Sequence, residues 1–457
     1  MSIPTFPEGF WFGAATASYQ LEGAVTADGR GPSIWDTFSH TPGATLDGDT
    51  GDVACDHYHR MSDDVALMAE LGIDAYRFSI AWPRIQPDGR GPANSAGVDF
   101  YSRLVDALLD AGIKPAVTLY HWDLPQALED AGGWPVRDTA LRFADYAQIM
   151  AEALGDRVAL WMTHNEPWCA AFVGYASGHH APGRQEPAAA LAAAHHLNLS
   201  HGLAAQAVRA AVPSARVGIA LNVHALTPAS DDPADVAAWR RLEAVGNDIF
   251  LTPVLEGRYT DETLAATDSI CDWRFVRPGD LETARQPLDA LGVNFYSTWK
   301  VAQGDPGEDG PWVGSAGARQ LPPTGPLTQM DWNIDPAGFT DLLVRLHERY
   351  PAVPLMITEN GAAFPDSVAA DGAVHDADRI AYLDAHLRAV RDAMDRGVDV
   401  RAYFLWSLMD NFEWGFGYSK RFGLFRVDYD TLERTWKDSA RWYQAFLADR
   451  WAELARR

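Results

Sequence analysis

Eight short apolar runs, spread along the whole chain and separated by stretches of helical periodicity, constrain the fold more than any other feature of the sequence. They fall at 10–15, 75–80, 116–121, 160–164, 217–222, 290–295, 355–359 and 402–406. Each run is nearly continuous rather than alternating, the pattern of a parallel strand covered on both faces. Between them, apolar residues recur at helical spacing. Val65, Met68 and Leu71 form one such series, and Val98, Tyr101, Val105 and Leu108 a second. Phe339, Leu342, Leu343 and Leu346 form a third, and Ile380, Leu383, Leu387, Val390 and Met394 a fourth that Gly397 ends. The alanine-rich stretch 188–211 also reads as a helix. Eight strand–helix units joined by right-handed crossovers close most simply into a barrel. The expectation is an α/β fold: a single (β/α)₈ TIM barrel over residues 1–457, with long βα loops at its C-terminal face. The surplus length is expected in excursions at 27–56, 299–335 and 411–435, all rich in Gly, Pro or aromatics.

Active sites of such barrels lie at the C-terminal strand ends, so the residues that close each run carry the functional signal. The first run is followed by Gln20 and Glu22, and the second contains Arg77. The third ends in His121, Trp122 and Asp123, and the fourth in His164, Asn165 and Glu166. The fifth ends at Asn222, and the sixth in Asn294, Phe295 and Tyr296. The seventh ends in Glu359 and Asn360, and the eighth at Trp406, before a loop holding Asp410, Glu413 and Trp414. A rim with no task beyond turning the chain favours Gly, Asp, Ser and Pro instead.

Glu166 and Glu359 stand out, because a glutamate closing an apolar strand is costly unless it is paired or used. Strands four and seven face each other across a barrel mouth, which counters the reading of both as solvated loop residues. Paired carboxyls suit glycosidic bond cleavage: about 5–5.5 Å apart they allow double displacement with retention, whereas wider spacing leaves room for water and inversion. Among 17 tryptophans, Trp122, Trp168, Trp332, Trp406 and Trp414 fall at or near the mouth. Indole faces pack on sugar C–H groups and indole N–H donates to hydroxyls. For any single tryptophan, core packing is the alternative. Gln20, His121, Asn165 and Glu413 offer the hydrogen-bonding groups a neutral sugar needs.

Composition excludes other classes. The 37 basic and 62 acidic residues give a net charge of −25, which repels phosphate backbones and anionic lipid and also serves solubility. Neither a nucleic-acid nor a membrane partner is expected. Three cysteines without CxxC spacing suggest neither a disulfide framework nor a zinc site. The histidine pairs at 57/59, 179/180 and 195/196 match no metal-ligand pattern. No phosphate loop or GxSxG elbow occurs. With no basic–apolar leader and no apolar run near eighteen residues, a cytoplasmic location is expected.

The chain closely resembles glycoside hydrolase family 1, the β-glucosidase family, from residue 10 to about 443. The resemblance is carried by FWFGAATASYQLEG at 10–23, YRFSI at 76–80, THNEP at 163–167, NFY at 294–296, LMITENG at 355–361 and WSLMDNFEW at 406–414, in family order. It implies Glu359 as nucleophile and Glu166 as acid/base, with Arg77 and Tyr296 holding Glu359 ionised and Asn294 completing the catalytic group. It implies Asn165 at the sugar 2-hydroxyl and Gln20, His121, Glu413 and Trp414 at the other hydroxyls. Trp122 joins this sugar-binding set, with Phe422 near the 6-position and Trp406 beneath the ring. Trp168, Cys169, His180, Asn222 and Trp332 would line the aglycone side. At 164 family members commonly carry Phe or Leu, and His164 is expected to be a hydrogen-bonded strand residue. Glu413 speaks against a 6-phosphorylated sugar despite nearby Ser419 and Lys420, and Glu166 against a thioglucosidase, whose acid/base position holds Gln. The implied substrate is a small neutral β-glycoside such as cellobiose or an aryl glucoside, cleaved from its non-reducing end without cofactor or metal. β-Galactosides and β-fucosides are expected side substrates. A transglycosylase using the same site, or a non-catalytic sugar-binding barrel, is the alternative. The oligomeric state is left open.

Overall fold

The computed structural model describes residues 4–305 and 307–454. Eight parallel strands close a barrel: β1 (Trp11–Ala15), β2 (Ala75–Ser79), β3 (Lys114–Tyr120), β4 (Leu160–Asn165), β5 (Val217–Asn222), β6 (Ala290–Asn294), β7 (Leu355–Asn360) and β8 (Val400–Trp406). Neighbours in the barrel are neighbours in the chain, and β8 returns to β1. All eight apolar runs are strands. The third and eighth begin earlier than their apolar runs, at the exposed Lys114 and next to the exposed Arg401, because the strand ends that leave the apolar layer admit charge.

The helical patterns also hold. His57–Leu71, Ser95–Asp110, Pro336–Arg349 and Ala377–Asp395 carry the four periodic series, and the alanine-rich stretch is the helix Pro187–Ala211. That last helix is buried along most of its length between the barrel and the helix Arg137–Leu154. Small side chains let it approach closely: a Cβ at Gly202 would lie 1.9 Å from the Thr283 carbonyl oxygen.

Two apolar layers follow. The outer one joins strands to helices, while Ala15, Ala75, Ala116, Met162, Ala290, Met356 and Phe404 form a second cluster along the barrel interior. At Gly218 of β5 the space is taken by Met162, whose sulfur would lie 2.9 Å from an added Cβ. The excursions are more ordered than their Gly and Pro content implies. The one at 299–335 contributes to a three-stranded sheet of Ala225–Pro228, Thr298–Gln303 and Ala318–Gln320. The one at 411–435 holds the hairpin of Phe425–Val427 with Arg434–Trp436. Among the described residues, no helix is long and apolar enough to cross a membrane.

Candidate active site

A cavity of about 280 Å³ opens at the C-terminal ends of the strands. Glu166, Glu359, Asn294, Tyr296, Asn165 and His121 line it, together with Trp122, Trp406, Glu413, Trp414 and Phe422. Of the residues that the resemblance assigns to catalysis or to the sugar, Arg77 and Gln20 lie outside its wall. Arg77 stands behind Glu359, and Gln20 is buried with its amide nitrogen donating to Phe412 O (2.8 Å) and Asn411 Oδ1 (3.2 Å).

Strand irregularities aim the two glutamates. Pairing of β4 with β5 shifts between Met162 and Asn165, and pairing of β7 with β6 shifts between Ile357 and Glu359. An extra residue in a strand re-aims everything after it. Thr163 and His164 therefore both face the helix Pro187–Ala211, through His201 Nδ1 (2.7 Å) and Ser200 Oγ (2.8 Å), and Asn165 turns inward. His164 stacks on Phe143 as a structural residue of that wall. Thr358 and Glu359 both point inward, while Asn360 reaches out to Phe295 O and Tyr382. Glu166, Trp122 and Trp414 adopt positive φ (45°, 77° and 48°), uncommon for residues with side chains and concentrated at functional sites.

The two carboxyls have opposite surroundings. Glu359 accepts from Arg77 Nη1 on Oε1 (2.7 Å) and from the Tyr296 hydroxyl on Oε2 (2.7 Å). Glu166 accepts from the neutral Asn294 amide on Oε1 (2.7 Å) and the Cys169 thiol on Oε2 (3.3 Å). Burial, then the nearby charge of Glu359, pushes the Glu166 carboxyl up to about 8. Burial also raises Glu359, but the Arg77 charge and the Tyr296 hydrogen bond pull it back. Of the two, Glu166 is the one that keeps a proton at neutral pH.

A polar network fixes these orientations. Arg77 is held by Thr118 Oγ1 (3.1 Å) and the Thr358 carbonyl (3.2 Å), and its Nη2 donates to Asn165 Oδ1 (2.7 Å). Asn294 Nδ2 donates to the same Oδ1 (3.0 Å), and Asn294 Oδ1 accepts from Thr358 Oγ1 (2.6 Å). With two donors on its oxygen, Asn165 turns its Nδ2 to His121 Nε2 (3.0 Å). Burial, reinforced by Arg77, lowers the His121 pKa well below the ordinary histidine value, so the ring is neutral. Its proton sits on Nδ1, a buried donor without a protein partner. Gln20 Oε1 and Glu413 Oε2 are likewise buried and unpartnered. Burial, then the charges of Glu359 and Glu166, raises Glu413 to about 8. Buried polar atoms left open around one cavity are set up for a polyhydroxylated ligand.

The tryptophans divide by role. Trp122 spends its N–H on the Asn165 carbonyl (3.0 Å) and packs on Trp414 at 4.6 Å between ring centres, so it offers ring surface rather than a donor. Trp168 likewise donates to Val245 O (3.1 Å). Cys169, His180, Asn222 and Trp332 also line the cavity, joined by His224, Trp299, Met330 and Phe416, which the sequence did not mark. Trp299 lies in the three-stranded sheet and His224 just before its first strand, and no local pattern reveals that pairing. Thr118 and Thr358 were also missed, although Thr358 adjoins Glu359. Glu22 leaves the site: it binds Arg84 (3.0 Å) and Tyr101 (2.5 Å) in a buried cluster. Ser419 and Lys420 are committed to Phe416 O and Gln329 O (both 2.7 Å). His57 pairs with Asp64 and His195 with Asp280. Among the described residues, no group of three or more His, Cys, Asp or Glu could hold a metal ion.

Comparisons with known proteins agree with this geometry. The family model described as glycosyl hydrolase family 1 matches residues 2–451. A bifunctional β-D-glucosidase/β-D-fucosidase from Bifidobacterium breve is 54% identical over 97% of this chain and 98% of its own length. The crystal structure of a psychrophilic β-glucosidase from Micrococcus antarcticus superposes with a TM-score of 0.94 at 46% identity, covering 98% of this chain and 100% of that one. A family 1 β-glucosidase from Thermotoga maritima, solved with isofagomine lactam, gives 0.93 at 44% identity over 98% and 100% of the two chains. Sequence relatives, structural neighbours and a cavity built around two unlike carboxyls converge: this chain belongs to glycosyl hydrolase family 1.

Proposed function

We propose that the chain, as one catalytic domain, is a retaining, exo-acting β-glucosidase that releases terminal non-reducing β-D-glucosyl residues, with β-galactosides and β-fucosides as further substrates. The observation that carries this reading is the asymmetry of the carboxyl pair: Glu359 is bound by a guanidinium and a phenol, Glu166 by an amide and a thiol.

In the first step Glu359 attacks the anomeric carbon while Glu166 gives its proton to the leaving oxygen, and the C–O bond to the aglycone breaks. The glucosyl group is then an ester of Glu359. In the second step Glu166, now a carboxylate, takes a proton from water as the water oxygen attacks the same carbon and frees Glu359. Once Glu359 is esterified its negative charge is gone, and a cause of the raised Glu166 pKa goes with it. Asn294 holds Glu166 through its amide on Oε1 (2.7 Å) and so orients the acid toward the leaving oxygen.

His121 Nδ1–H, Gln20 Oε1 and Glu413 Oε2 would take the sugar hydroxyls, with Trp406 as the platform. The Bifidobacterium breve relative's fucosidase activity supports the broader glycone range. Cellobiose and aryl glucosides suit a cavity lined by tryptophans and hydrogen-bonding side chains, in keeping with a part in cellulose breakdown. A cytoplasmic setting suits such oligosaccharides.

Glu359→Gly should lower kcat on an aryl β-glucoside by about 10⁴-fold or more. Added azide should restore part of it and yield the α-glucosyl azide. Loss of activity without azide rescue, or an α-anomer as the first wild-type product by NMR, would overturn the reading.

A further inference from the structure

Four cavity-lining residues, Glu413, Trp414, Phe416 and Phe422, sit on the loop 411–422 after β8. Glu413 Oε2 has no partner in the protein, so the loop backbone decides where that carboxylate stands. The two ends of the loop meet on one side chain. Asp410 Oδ2 accepts from Arg421 Nη1 (2.6 Å), and its Oδ1 accepts from the Gly423 N–H (3.0 Å) and from Lys437 Nζ (2.6 Å). Asp410 and Lys437 are fully buried.

The junction belongs to a larger buried network of three carboxylates, Asp366, Asp376 and Asp410, with three cations, Arg379, Arg421 and Lys437. Lys437 also donates to Asp366 Oδ2 (2.5 Å), on the segment that follows Glu359. Arg379 pairs with Asp366 (2.8 Å) and Asp376, and its Nη2 donates to the Arg421 carbonyl (2.7 Å). Such a network is directional, unlike apolar packing, and fixes relative position rather than mere proximity. None of its members lines the cavity.

We propose that Asp410, with Arg421 and Lys437, is a positioning clamp that closes the base of the loop 411–422 and thereby sets discrimination among glycone hydroxyls. The inference rests on the β-glucosidase reading. Glu166 and Glu359 are held by a separate set of partners, so the clamp acts through the groups of the loop and leaves the hydrogen bonds of that pair in place.

The test compares nitrophenyl β-D-glucoside with its 6-deoxy analogue, with rates expressed per active site titrated by a 2-fluoroglucoside burst. Arg421 is the most exposed member, at 18% for its side chain, and tolerates change best. In Arg421→Met the glucoside-to-deoxyglucoside ratio of kcat/KM should fall about tenfold, because misplaced loop groups stop distinguishing the substrates. The rate on the 6-deoxy analogue should stay near wild type, because Glu166 and Glu359 keep their own partners. Arg421→Gln, which keeps an amide donor without the charge, should show a smaller fall, and it carries the test where the Met variant does not fold. A wild-type ratio in either folded variant would overturn the clamp. A wild-type enzyme inert toward both glycosides would overturn the glucosidase reading, and the clamp with it.

Discussion

At the scale of single residues, the chemistry rests on a difference between two glutamates with the same side chain and nearly the same burial, 6% and 3% exposed. Burial disfavours the charged form of both, and a positive neighbour then decides which one ionises. Glu359 has Arg77 at 2.7 Å, while Glu166 has that charge only at longer range and sees Glu359 instead. Glu166 should therefore titrate near 8 in a ¹³C-carboxyl NMR experiment on the free enzyme. In Glu359→Gln it should titrate lower, because one of the two effects that raise it is removed. An unchanged value would mean that burial alone sets it. Cys169 shares in this tuning, since its thiol is the second donor to Glu166, at 3.3 Å.

At the scale of elements, the strands do more than carry the site to the barrel mouth. Regular alternation would send successive residues to opposite faces. The shifts in β4 and β7 break it immediately before each glutamate, so Thr358 and Glu359 share a face. The glycine after Glu359 and Asn360 has a related cause. A Cβ at Gly361 would lie 1.7 Å from the carbonyl oxygen of Trp406, so β7 and β8 meet here closely enough that only hydrogen fits. Gly361→Ala should displace the Trp406 platform. We expect kcat/KM to fall by about 10²-fold with the far-ultraviolet circular dichroism unchanged. Wild-type kinetics would show that the strands can move apart freely.

At the scale of the whole molecule, site and stability oppose each other through pH. Glu166 and Glu413 both sit near 8 in the folded protein, well above an ordinary glutamate. A carboxyl with a raised folded-state pKa binds its proton more tightly when folded, and that contribution is complete below the unfolded value. It is lost as pH rises through about 8. The net charge of −25 adds self-repulsion in the same direction. The melting temperature should drop between pH 6 and 9. Glu413→Gln, which has no charge to bury, should melt a few degrees above wild type at pH 9 and match it more closely at pH 6, while losing most of its activity. An equal difference at both pH values would contradict a titration origin.

The sequence by itself determined the architecture and which polar residues close the strands around the cavity. Both depend on patterns local in the chain: continuous apolar runs for doubly covered strands, helical spacing between them, and polar groups where each run stops. Glu166, Glu359, Asn294, Trp406 and Trp414 were legible for that reason. Tertiary structure alone decided which polar groups stay open. Trp122 and Glu22 look like ligand groups in the sequence, but one spends its donor on the Asn165 carbonyl and the other its charge on Arg84. His224 and Trp299 give no local signal, yet a small sheet that pairs the segment after β5 with the excursion at 299–335 brings both to the cavity. The strand shifts that aim the glutamates, and the meeting of Asp410, Arg421 and Lys437, are equally hidden. The physical reason is that apolar burial follows composition over a few residues, whereas hydrogen bonds and ion pairs depend on ångström distances between segments that no local pattern relates, here 11 to 62 residues apart.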